Sequence, residues 1–154
     1  VETYVSHAEV IEGATRYQPR GGLYEKSYEG PLWQFLADFV PVAYDHEKTV
    51  LEAGNEWYSG AYLLETVPTV LHILMRHADD PEEAIVRAVN DTKDNDTIAA
   101  IVGAAIGALH GEQTLPERWR RNLLGRTAEM DDGRIFELLK LIGVPEKAET
   151  QPQT

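Results

Sequence analysis

The chain has 154 residues, 43% of them hydrophobic and 26% charged, a formal net charge of -12 and no cysteine. Such a length supports one domain with its own core, and the composition is far from that of disordered chains. A disulfide framework, a thiolate metal site and a thiol nucleophile are excluded, and the acidic balance argues against binding a nucleic-acid backbone, which needs positive charge to displace counterions.

The sequence opens on Val1 with no basic stretch before an apolar core, so no secretory signal is expected, an upstream portion is expected to have been removed, and a cytoplasmic location is expected. Val5, Ala8, Val10, Ile11 and Ala14 recur as one helical face up to about Arg16. Pro19, Gly21, Gly22, Gly30 and Pro31 then punctuate a long loop from Tyr17 to Pro31. Its Arg20, Tyr17, Tyr24 and Tyr28 either face a ligand or ride on a surface excursion. Leu32, Trp33, Phe35, Leu36, Phe39 and Val40 predict a short buried helix that stops at Pro41, because proline lacks the amide donor.

Ala61 to His77 places Leu63, Leu64, Val67, Val70, Leu71, Leu74 and Met75 on one apolar face, with Pro68 marking a kink or a start. Asp79 or Asp80 caps a helix from Pro81 to about Asn90, whose inward stripe is Ala84, Ile85, Ala88 and Val89. Thr97 to His110 is a further helix; Gly103 and Gly107, four residues apart, predict close approach of a neighbouring backbone. Its apolar run, Ile98 to Leu109, is twelve residues, too short to span a bilayer. Pro116 opens a helix carrying Trp119, Leu123 and Leu124, and Asp131 or Asp132 caps a last one ending at Ile142, before Gly143 and Pro145. Residues 146–154 are polar and aperiodic and read as a disordered tail. With no strict alternation and no internal repeat, the fold class is all-α, a compact multi-helix bundle.

The chemistry concentrates in Asn90-Asp91-Thr92-Lys93-Asp94-Asn95-Asp96-Thr97, where three carboxylates fall within six residues ahead of the most apolar helix. Like charges this close repel unless a cation or helix amides compensate them. Hard divalent cations take oxygen ligands, so two carboxylates and a hydroxyl suit them. An EF-hand is excluded, because counting from Asp91 puts Asp96 where its glycine belongs, and counting from Asp94 puts Ile98 at a ligand position. The alternative is an ordinary helix cap, with Asp96 accepting from first-turn amides and the other acids solvated.

The run from Asp94 through Ile98, Gly103, Gly107 and His110 to Gly111, followed by Leu115, Pro116 and Trp119, resembles the ADP-ribosylglycohydrolase family. That family has an Asp-x-Asp-Thr motif opening a small-residue helix, then a short glycine-containing loop and a helix with proline and tryptophan. Gly60-Ala61-Tyr62-Leu63-Leu64-Glu65-Thr66 is similar to its substrate-side helix start, and Ser6-His7 with Ile11-Glu12-Gly13-Ala14 to its Ser/Thr-His segment. The resemblance implies that residues 1–145 form the C-terminal part of such a domain. It makes Asp94, Asp96 and Thr97 ligands of two divalent cations, Mg2+ or Mn2+, and sets Tyr62, His7 and Gly60 against ADP-ribose. Thr92-Lys93 stand where the family writes two glycines, and its Thr-Asp-Asp motif has no counterpart in this sequence.

The implied activity is metal-dependent hydrolysis of ADP-ribose from a modified substrate, with this chain supplying half of a two-metal site. The general base is expected outside the chain, in an N-terminal segment or partner chain whose docking face on this chain is expected to be apolar. The rival reading is a catalytically silent module that binds ADP-ribose or a partner. His46, His72, His77 and His110 lack metal-ligand spacing and read as structural. Neither membrane insertion nor nucleic-acid backbone binding is expected.

Overall fold

A computed structural model of the chain describes residues 16–17, 28, 30–123 and 141. It divides into two compact units, residues 1–115 and 116–154. The described part is all-α: α1 (Leu32–Asp45), α2 (Val50–Trp57), α3 (Leu63–His77), α4 (Pro81–Asn90) and α5 (Asn95–His110) belong to the first unit, and α6 (Glu117–Leu123) to the second. A single 3-10 turn, Glu112–Thr114, follows α5. Strands β1 (Arg16–Tyr17) and β2 (Gly30–Pro31) pair antiparallel, Arg16 opposite Pro31 and Tyr17 opposite Gly30, and so pin the two ends of the long loop together. The expected helices before Arg16 and after Asp131, and the expected tail, lie outside the described residues.

Helix α1 does not stop at Pro41 but runs through it to Asp45. Proline removes one intrahelical donor, yet Val40 and Ala43 on either side are both buried in one cluster with Phe35, Leu36, Ala53 and Trp57. Burial on both flanks outweighs the local defect. Tyr28 joins the same cluster instead of facing a ligand: its ring meets Phe35 and Phe39 edge-on, at 5.2 and 5.7 Å between centroids, and its hydroxyl donates to the Pro31 carbonyl at 2.7 Å. Helix α2 has no counterpart among the expected elements. A capping box starts it, in which the Thr49 hydroxyl accepts from the Glu52 amide at 3.2 Å and the Glu52 carboxylate accepts from the Thr49 amide at 2.8 Å.

Helix α3 lies between two cores. Val67 and Leu71 pack on the α1–α2 cluster, while Val70 and Ile73 join Val50, Ala84, Ala88, Ile98, Val102 and Ile106 in the second. Pro68 lies inside the helix and does not start it; the helix begins at Leu63. The face buried most deeply differs from the apolar stripe expected: Glu65, Thr66, Thr69, His72 and Ile73 are at most 2% exposed, whereas Met75 is 36% exposed. These polar groups are tied down as burial demands. Trp57 Nε1 donates to Thr69 Oγ1 at 3.1 Å, Thr69 Oγ1 donates to the Glu65 carbonyl at 2.9 Å, and His72 Nε2 meets the Lys48 carbonyl at 3.0 Å.

Asp80 is the cap of α4, accepting from the Glu83 amide at 3.0 Å, with Pro81 at the first helical position. Among the described residues the expected close approach at Gly103 and Gly107 is not found, since a Cβ at either would meet none of their atoms within 4 Å. The inward row of α5 is Ile98, Val102 and Ile106, spaced by four, and the small residues facing it are Ala84 and Ala88 of α4. Both glycines follow that row by one position, about 100° round the helix. Away from that row α5 exposes Ala100, Ile101, Ala104, Ala108 and Leu109 to solvent.

Candidate metal and substrate site

Asp94 is the cap residue of α5, and Asp96 and Thr97 lie in its first turn. The capping alternative holds in part: Asp94, the cap residue, makes no side-chain cap hydrogen bond, while Asp96 Oδ1 accepts from the first-turn amide of Thr97 at 2.9 Å. That amide foremost, and then hydrogen bonding with the Asp94 carboxyl, hold Asp96 below the usual carboxylate range. Asp96 and Thr97 are exposed and Asp94 is half-buried. Asp91, the third acid of the run, is already committed: Arg87 Nη1 donates to its Oδ2 at 2.9 Å.

The fit to a cation turns on Asp94. Its Oδ2 is buried with no hydrogen-bond partner among the described residues. A buried carboxylate oxygen left so is costly unless something positive reaches it. The two carboxylates and the Thr97 hydroxyl would offer oxygen donors alone, the kind that magnesium and manganese take. Among the described residues no group of three or more His, Cys, Asp or Glu gathers where a metal ion could sit, so the set has two carboxylates.

The loop bearing these acids is clasped to the segment between α2 and α3. The Ser59 carbonyl accepts from the Lys93 amide at 3.1 Å and from the Asp94 amide at 2.9 Å, and Ser59 Oγ accepts from the Lys93 amide at 3.1 Å. The Lys93 ammonium stands 4.3 Å from the centre of the Tyr58 ring, whose residue adopts a positive φ of 65°. The structure thus brings the predicted metal motif against the segment that carries Gly60 and Tyr62, although more than thirty residues separate them in sequence.

Gly60 is buried, and a Cβ there would come within 2.6 Å of both the Tyr58 ring and Glu65 Oε2, so only glycine fits. Its carbonyl accepts from Thr66 Oγ1 at 3.1 Å, which anchors the segment to α3. Tyr62 is the cap residue of α3 and is 44% exposed. His7, like Arg20 and Tyr24, lies outside the described residues. The sequence reading missed Ser59 and the buried Glu65. A signal for the latter was present: Glu65, Thr69 and His72 form a polar row at helical spacing on an otherwise apolar helix. His72 Nδ1 is buried without a partner, and burial foremost pushes this histidine below its usual pKa. It bonds the Lys48 carbonyl and touches none of the candidate ligands, consistent with a structural histidine.

Fold and site together define an all-helical domain that presents Asp-x-Asp-Thr at the head of a helix, docked on a buried glycine segment. The chain belongs to the ADP-ribosylglycohydrolase family, whose sequence model matches residues 5–148. It is similar to mouse ADP-ribosylhydrolase ARH3, 26% identical over 138 residues, which cover 81% of this chain and 36% of the relative. Human ADP-ribosylhydrolase ARH3 is 28% identical over 114 residues, 68% of this chain and 30% of that protein. The ADP-ribosyl-[dinitrogen reductase] glycohydrolase of Rhodospirillum rubrum is 30% identical over 86 residues, 56% of this chain and 29% of the relative. The chain spans about a third of the length of the curated relatives it matches. No solved structure matches it significantly. Among the described residues no helix is long and apolar enough to cross a membrane.

Proposed function

We propose that this chain supplies the Asp-x-Asp-Thr half of a two-cation site that hydrolyses ADP-ribose from a modified substrate at an N- or O-glycosidic bond. The observation that carries the reading is the buried Asp94 Oδ2, which has no hydrogen-bond partner among the described residues. Asp94, Asp96 and Thr97 would hold magnesium or manganese. A bound divalent cation supplies Lewis-acid polarisation of sugar oxygens and makes a water nucleophilic near neutral pH. Tyr62, 44% exposed, offers an aromatic side chain on which ADP-ribose stacks, and Gly60 is assigned to the same ligand on family resemblance, the space of its missing side chain being taken by the Tyr58 ring and Glu65. His7 is assigned to the same ligand on family resemblance alone.

On this reading the general base and the facing metal ligands come from an N-terminal segment or partner chain. A catalytically silent module that retains ADP-ribose is the second reading, and it is favoured by the presence of only two converging carboxylates among the described residues. Calorimetric titration of the chain completed by its N-terminal portion with magnesium or manganese tests the site, with Asp96→Ala expected to abolish binding; equal affinity in both proteins would sink the assignment. Assays on ADP-ribosylated arginine and serine substrates, with and without the N-terminal portion of a family member, separate the two readings. Turnover that appears only on addition supports the half-site. Turnover by the 154-residue chain alone requires a general base within it, and no turnover in either case leaves the binding module.

A further inference from the structure

We propose that Ser59 is the positioning residue of the cation loop, its carbonyl and hydroxyl together setting where Asp94 and Asp96 stand. This rests on the reading of those acids as cation ligands. Asp94 takes no side-chain role in capping α5, so the direction of its carboxylate depends on how its backbone is held. Two consecutive amides, Lys93 and Asp94, point at one acceptor, the Ser59 carbonyl, and the Lys93 amide is shared with Ser59 Oγ. Turned this way, Asp94 offers its own carbonyl to the Ile98 amide at 3.1 Å and starts the helix.

Ser59 is itself immobilised. It is 1% exposed, and Gly54 of α2 lies against it so closely that a Cβ there would stand 3.1 Å from Ser59 Oγ and 3.3 Å from Ser59 Cβ. The acid loop thus takes its position from α2 and from the segment bearing Gly60 and Tyr62, and not from α5 alone. Small hard cations tolerate little displacement of their ligands, so a shift of a few tenths of an ångström at Ser59 reaches the donor set as lost affinity.

The test uses the 154-residue chain, with manganese alone as probe, followed by the electron paramagnetic resonance of free Mn2+. Wild type is compared with Ser59→Ala, which removes the hydroxyl, and with Gly54→Ala, which crowds Ser59 while meeting the acid loop only at ordinary contact distance, 3.7 Å from the Asp91 carbonyl. Asp94→Asn is the control for the site, and amide exchange at Lys93 and Asp94 is measured in the same proteins without metal. Each perturbation is expected to weaken Mn2+ binding about tenfold, the usual effect of losing a group that orients a ligand. Exchange at the Lys93 amide should quicken about tenfold, the size of one hydrogen bond.

A serine that only stabilises the fold would lower the denaturation midpoint and leave Mn2+ affinity unchanged. That result, or unaltered exchange at Lys93, overturns the proposal while loss of binding in Asp94→Asn keeps the cation reading intact. Absence of Mn2+ binding in wild type, or equal binding in Asp94→Asn, overturns the cation reading and this proposal with it. If Ser59→Ala does not fold, Gly54→Ala carries the same comparison.

Discussion

Replacing Gly103 and Gly107 by alanine should stabilise this chain, the reverse of what their spacing suggests. Both stand inside α5, and a methyl group at either would meet no atom of the described residues within 4 Å, so these set no steric cost against the gain in helix propensity. Glycine inside a helix is about 1 kcal/mol less favourable than alanine, largely because the unfolded glycine chain has more freedom to lose. Gly103 is the ninth of sixteen helical residues and should show most of that value. Gly107 lies near the end of the helix, where its carbonyl accepts from the Gly111 amide at 2.8 Å, and should gain less, about 0.5 kcal/mol. Urea denaturation followed by circular dichroism measures both. With a slope of about 1–3 kcal/mol per molar urea, Gly103→Ala should raise the midpoint by about 0.3–1 M. A lowered midpoint for either variant would refute the reasoning and show that some backbone packs against this face in solution.

Thr69→Val keeps the shape of the side chain but leaves the buried Trp57 Nε1–H without its acceptor, and should cost about 1–3 kcal/mol in urea or thermal unfolding; a neutral result would mean that water replaces the hydroxyl. His72 should make stability pH-dependent. Its pKa is lowered, by burial first and then by the charges of Arg76 and His77, so the folded state binds fewer protons than the unfolded one. The stability associated with its neutral form is complete above the ordinary histidine value and is lost as pH falls below about 6.5, with a slope of at most about 1.4 kcal/mol per pH unit. His77 is shifted the same way, so the decisive quantity is the difference between wild type and His72→Gln. Identical pH profiles for the two would remove His72 from the argument.

Local chemistry was enough to place much of the fold. Pro81 after Asp80 with Glu82 and Glu83 predicted α4, and the apolar run after Asp96 predicted α5, because caps and periodicity act over four or five residues. The capping box of Thr49 and Glu52 was equally legible and marks the start of α2, a helix the periodicity reading passed over. Pro41 and the glycine pair misled for one reason: each was judged on its own helix, whereas burial of Val40 and Ala43 decided the first and the facing alanines of α4 decided the second. The Asp-x-Asp-Thr motif named the candidate ligands by residue type and order alone.

Tertiary structure alone decided what those ligands stand against. Whether Asp94 and Asp96 serve as caps or remain open depends on where the backbone of the loop is pinned, and the pin is Ser59, 34 residues from Lys93. The buried polar row of α3 is decided in the same way, by partners at Lys48 and Trp57 that lie 24 and 12 residues upstream. Hydrogen bonds that join such distant residues exist only once α2, α3 and α4 have packed, because their geometry is set by burial of apolar surface elsewhere in the chain and leaves no periodic trace in the sequence.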